Sequence, residues 1–280
     1  MRWSPGGSRR NIEDRRGQRG VGMKGVGAGG GLILLILSLI FGGDIFSGGG
    51  PVPTDMGGGV EQGPIEETAA ERENVEFVTF VLNDAQEVWT RVLPRYGTQY
   101  REAQLVLFRD AVNSACGTAP AAAGPFYCPL DEKMYMDLSF FDELHARFGA
   151  PGDFAQAYVI AHEIGHHVQH ILGTNQRVRQ LQEANPREAN DLSVRLELQA
   201  DCFAGVWGNT TEQRRLLDPG DIEEGLAAAA AIGDDRLQAQ SGGRVSPESF
   251  THGTSEQRVT WFRRGFESGS PEACDTFNAR

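Results

Sequence analysis

The chain has 280 residues, enough for one medium domain with appendages, and most of its 36 glycines fall in the first 63 residues, so the folded part is expected to lie mainly after them. The formal net charge of −12 is uneven: the residues up to Gly31 carry +5 and the remainder −17. An acidic body argues against nucleic acid as a partner, because phosphates call for a basic surface.

In chain order, residues 1–25 read as a basic tail. Residues 32–41, LILLILSLIF, are apolar apart from Ser38. Ten residues are too few to cross a bilayer, which takes about 20, but the uncharged stretch extends from Gly25 to Gly43. Residues 26–46 are therefore expected to form one transmembrane helix. The basic residues precede it, so the positive-inside rule puts the N-terminus in the cytoplasm and the acidic body outside, periplasmic or extracellular. A cleaved signal peptide is the competing reading; no A-x-A site follows, and both readings export the body. Residues 47–73, rich in Gly and Pro over their first half, are expected to be a flexible linker.

The body is expected to span 74–280. Val78, Val81, Leu82, Val88, Trp89 and Val92 recur at helical spacing and predict a helix over 75–93, stopped near Pro94 and Gly97. Gln104 to Phe108 predicts a strand. Residues 126–138 start with a proline interruption and then alternate as Met134, Met136 and Leu138, which predicts an edge strand. Helices are predicted over 153–172 and 188–207, from Asp218-Pro219 through the alanine run 227–231, and from Thr254, where Thr254 and Gln257 fit a capping box. The fold class is α+β: mainly helical, with a small sheet near the start and one membrane helix ahead of it.

None of the four cysteines forms a CxxC pair. In an oxidising compartment the preferred pairing is Cys116 with Cys128 and Cys202 with Cys274, although four cysteines allow three connectivities and buried free thiols are the alternative.

The chemistry is carried by residues 162–166, His-Glu-Ile-Gly-His. On a helix, His162 and His166 lie on one face and reach the same ion, while Glu163 projects beside it and can take a proton from a metal-activated water. Catalytic zinc keeps three protein ligands. A metzincin extension is absent, since Gln169 and Leu172 stand at its positions. His170 would lie about 12 Å along the axis from His162, and His167 points about 100° off the metal face; both are expected at the surface or behind the ligands. The next helix offers Glu197 and Asp201 at i, i+4. Glu197 completes a set of two histidines and one carboxylate for one zinc ion per chain, and Asp201 is placed to accept the spare ring N–H of His162. The plain alternative is that both carboxylates solvate a helix face.

His162-Glu163-x-x-His166 with Glu197-x-x-x-Asp201 resembles the gluzincin peptidases. The opening MRW, Asn11-x-Glu13-Asp14-Arg15-Arg16, the glycine-flanked apolar run, FYCP at 126–129 and His252-Gly253-x-Ser255-Glu256-Gln257-Arg258 together resemble the bacterial family named putative neutral zinc metallopeptidase, over nearly the whole chain. The resemblance implies a zincin-like domain that hydrolyses peptide bonds, with His252 stabilising an oxyanion and Arg258 supporting it. A peptide substrate would pair along the strand at 133–138. Two rivals stand beside this reading: a membrane-tethered scaffold with an inactive zincin fold, and a zinc amidase acting on cell-wall cross-links.

Overall fold

The structure is a computed structural model that describes residues 1–18, 65–146, 152–240, 242 and 244–278. Its first helix, α1 (Ala69–Val92), starts inside the stretch expected to be linker. The reason is local: Thr68 accepts from the Glu71 amide while Glu71 reaches back to the Thr68 amide, a capping box that satisfies two end donors. Val75, Val78, Val81, Leu82, Ala85, Val88 and Trp89 then line its buried face.

A four-stranded sheet packs against α1. Its order is β1 (Ile12–Asp14), β2 (Gln104–Phe108), β6 (Lys133–Asp137) and β5 (Phe126–Cys128); only β5 runs antiparallel to its neighbour. The alternation of β2 and β6 serves two cores. Leu105, Leu107, Met134 and Met136 face the helices, whereas Val106, Phe108 and Tyr135 meet Val112 and Ala119 of a hairpin formed by β3 (Ala111–Ser114) and β4 (Gly117–Pro120). The Cys116–Cys128 disulfide staples that hairpin to β5. Strand β6 is thus interior, not an edge: β2 pairs with all of it and β5 with Lys133, Met134 and Tyr135, so no free edge runs along the strand for a peptide to join over those three residues.

Strand β1 belongs to the stretch 1–25 expected to be a basic cytoplasmic tail ahead of the body, and residues 1–18 are instead part of the body's sheet. Beyond the β1–β2 pairing, Trp3 stacks edge-on against Phe77, Arg16 forks onto Asp14 and reaches Glu67 at 2.9 Å, and the Met1 amino group donates to Asp153 at 2.6 Å. The expected anchor, 26–46, lies outside the described residues, and among those described no helix is long and apolar enough to cross a membrane. A chain crossing once between residues 18 and 65 would put β1 and β2 on opposite sides, so a docked β1 and a single crossing exclude each other. With β1 docked, cysteines introduced as Ser4→Cys and Asn278→Cys are expected to label from the same face of the membrane in intact cells. Labelling from opposite faces would take β1 out of the sheet.

The helices that follow are α2 (Ser139–Ala146), α3 (Asp153–Ile171), α4 (Thr174–Ala184), α5 (Ala189–Gln213), α6 (Asp221–Ala231), α7 (Asp234–Gln240) and α8 (Ser255–Ser268). The Thr254/Gln257 capping box opens α8 as predicted, whereas α2, α4 and α7 have no counterpart in the sequence reading. Glycine permits the central packing. A Cβ on Gly165 would stand 2.9 Å from the Ala200 carbonyl oxygen, and one on Gly265 only 1.9 Å from that of Cys202. Helices α3 and α8 therefore press their backbones onto α5 from two directions. The Cys202–Cys274 disulfide ties the C-terminal turn to the same helix, so both preferred cysteine pairings are found.

Candidate metal centre

Helix α3 supplies His162, Glu163 and His166, and α5 supplies Glu197 and Asp201. The close approach at Gly165 brings the two faces together. His162 Nε2 lies 3.2 Å and His166 Nε2 3.4 Å from the Glu197 carboxylate, and one donor atom from each of the three lies within 4.8 Å of the others. The site is buried without being sealed: His162, Glu163, His166 and Glu197 are 6, 7, 4 and 5 % exposed.

Both ring Nδ1 atoms are committed elsewhere. That of His162 faces Asp201 Oδ1 at 2.8 Å, and that of His166 faces Gln169 Oε1 at 2.9 Å. Neither acceptor oxygen can donate, so each Nδ1 carries a hydrogen, and Nε2 is the ring nitrogen that faces Glu197 and is left for an ion. Two imidazole lone pairs and a carboxylate, each ring oriented by an acceptor behind it, fit the nitrogen and oxygen donors that zinc takes in catalytic sites.

Asp201 is fully enclosed and amply satisfied. Besides His162 it accepts from the Tyr158 hydroxyl and, through both oxygens, from Arg258 at 2.8 and 2.9 Å. Burial would raise its pKa; the charges of Arg258 and His162 overcome this and hold it below the usual range. Glu197 behaves alike: burial would raise it, but His166 and His162 hold it well below normal, as the carboxylate. Glu163 goes the other way. Burial is the largest influence and raises its pKa; the two imidazoles oppose this, and Glu197 adds to it.

His252 precedes α8, and its ring Nδ1 lies 3.2 Å from Asp234 Oδ1. Burial alone would lower its pKa, but hydrogen bonding to Asp234 and the charge of Glu197 raise it. The fork of Arg258 closes on Asp201, with further contacts to Tyr158, the Ile232 carbonyl and, at 3.4 Å, His162 Nδ1, so it supports His162 chiefly through Asp201 and is not hydrogen-bonded to His252. His167 is wholly buried, between the Tyr127 hydroxyl at 2.8 Å and the Arg101 carbonyl at 2.6 Å. It holds β5 against α3 and is not a surface residue. His170, half-buried, pairs with Glu132.

Three contributors went unread in the sequence. Tyr158 stands four residues before His162, and the i, i+4 spacing was there to be used. Gln169, three residues after His166, registered only as a departure from the metzincin pattern. Asp234, whose Oδ2 accepts the amides of Thr251, His252 and Gly253, leaves no sequence signal, since 18 residues separate it from His252.

The family model described as "Putative neutral zinc metallopeptidase" matches residues 1–277. The chain belongs to this family. Its similarity to YpfJ of Escherichia coli K12 is 47 % identity over 291 aligned positions, covering 99 % of both chains. To Rv2575 of Mycobacterium tuberculosis H37Rv it is 44 % over 208 positions, covering 70 % of this chain and 68 % of that one. No solved structure matches. The family match reaches back through β1, in keeping with the place of the first 18 residues in the folded body.

Proposed function

We propose that this chain is a zinc-dependent endopeptidase with a zincin-like catalytic domain, and that it works outside the cytoplasm. The observation that carries the reading is the convergence of His162 Nε2, His166 Nε2 and Glu197 on one point, with buried Glu163 beside them. His162, His166 and Glu197 would hold the ion. When bound, zinc supplies Lewis acidity, which polarises a scissile carbonyl and acidifies water. Glu163, its pKa raised by burial, takes the proton of the attacking water and returns it to the leaving amine. His252, held by Asp234, donates a hydrogen bond to the oxygen that becomes negative. Two disulfides suit an oxidising compartment, and the apolar run 32–41 is the part of the chain suited to holding the enzyme at a membrane.

The test is cleavage of an unfolded protein such as reduced casein. Purified enzyme is expected to cut it, to stop when 1,10-phenanthroline removes the metal, and to recover when zinc is restored. Cleavage indifferent to chelation would overturn the reading. Activity confined to purified cell-wall material would transfer the site to an amidase.

A further inference from the structure

The His166 side of the site continues into a polar relay that ends at a disulfide. Gln169 is fully buried on α3 and bridges to α5. Its Nε2 lies 2.6 Å from the Leu196 carbonyl oxygen and 3.2 Å from Gln199 Oε1. Gln199 Nε2 in turn lies 2.9 Å from the carbonyl oxygen of Cys274, which is bonded through sulfur to Cys202 on the same helix.

The direction of this chain is forced. A carbonyl oxygen only accepts, so Cys274 requires the amino end of Gln199, and Leu196 requires the amino end of Gln169. Turning either amide over would set two oxygens against each other in a buried place, where an unmet polar group costs about 1–3 kcal/mol. Gln169 Oε1 is thereby left facing His166 Nδ1 and can accept only if that nitrogen carries the hydrogen. Leu196 is also the residue before Glu197, so the contact that turns the His166 ring fixes α5 beside the carboxylate.

We propose that Gln169 is a positioning residue for the metal centre: with Gln199 and the Cys274 carbonyl behind it, it commits His166 to the tautomer whose Nε2 lone pair faces the ion. The inference rests on the zinc reading above. Asp201 serves His162 with a charged acceptor, whereas this relay serves His166 with a neutral one whose far end is anchored by the C-terminal turn. The two ligands are thus held from opposite sides of α5 by separate networks.

Zinc affinity is the readout, measured on the full chain by competition with a chromophoric chelator for wild type, Gln169→Met, Gln169→Glu and Gln199→Met. Thermal melts and far-UV circular dichroism report on folding. Loss of an outer partner of a ligand histidine lowers metal affinity about 10–100-fold. Gln169→Met is expected to show a loss of that size. Gln169→Glu keeps an acceptor for Nδ1, while its second oxygen meets the Leu196 carbonyl and is matched there only as the protonated acid; it is expected to recover part of the loss, which a merely space-filling role would not predict. Gln199→Met, one step further out, is expected to weaken binding less and in the same direction. The cobalt-loaded forms carry a second signature: the d–d bands of Gln169→Met are expected to shift from those of wild type and those of Gln169→Glu to lie closer to them. Wild type binding no zinc would overturn the peptidase reading itself. Wild type and a folded Gln169→Met binding zinc equally would overturn the relay and leave the site standing. Should Gln169→Met fail to fold, Gln199→Met decides, and unchanged affinity there overturns the relay.

Discussion

Glu163→Gln is expected to keep its zinc and to lose peptidase activity by about 10²–10⁴-fold, the usual contribution of a positioned general base. Glu163 is not among the three side chains whose donor atoms converge, so an amide of the same shape leaves the ion undisturbed. The amide has no basic oxygen and cannot take a proton from water. Burial, which raises the Glu163 pKa, brings the carboxylate nearer in basicity to the water it must deprotonate, and this makes the loss large. Metal content by atomic emission and casein cleavage on the same preparation separate the outcomes. Loss of zinc together with activity would make Glu163 a ligand. Retention of both would remove it from the chemistry.

The second large effect concerns Arg258. It is 1 % exposed and its fork closes on Asp201, which is 0 % exposed. Arg258→Leu leaves a buried carboxylate with only Tyr158 and His162 as donors, and breaking a buried pair from one side costs about 3–5 kcal/mol. At about 2–4 °C per kcal/mol for a body of this size, the melting temperature is expected to fall by about 6–20 °C in scanning calorimetry. Zinc affinity is expected to fall as well, because Asp201 sets the orientation of His162. Arg258→Lys keeps the charge without the planar fork and is expected to fall between the two. A variant that melts and binds zinc like wild type would show that the pair neither holds α8 to α5 nor steadies the ligand.

What the sequence made legible follows from where local chemistry and tertiary structure agree. Strand 104–108 was read to the residue, because a short apolar run there coincides with burial on both faces. The start of α8 was legible because Thr254 and Gln257 satisfy each other within one turn. The pairs His162 with His166 and Glu197 with Asp201 were visible because helical periodicity puts positions i and i+4 on one face. Strand β1 was not visible: Ile12, Glu13 and Asp14 have no strand pattern, and the parallel partner β2, some 90 residues on, imposes the extended state. The alternation in β6 was read correctly as a strand and wrongly as an edge, since edge status depends on which strands arrive beside it. His167 was misplaced for a related reason. It sits 100° from the metal face, but that side of α3 is covered by β5 and Tyr127. Asp234 acts on His252 through a turn that no spacing rule encodes.

The central claim is that His162, His166 and Glu197 hold one zinc ion, and its most direct test is the metal content of purified wild type and Glu197→Ala by inductively coupled plasma emission. The account predicts one zinc per chain in wild type, and in the folded variant a loss to a small fraction of that, because two imidazoles alone do not fill a catalytic zinc site. Zinc retained at one per chain in Glu197→Ala would contradict the ligand set, and wild type free of zinc after refolding with excess metal would contradict the metal centre as a whole.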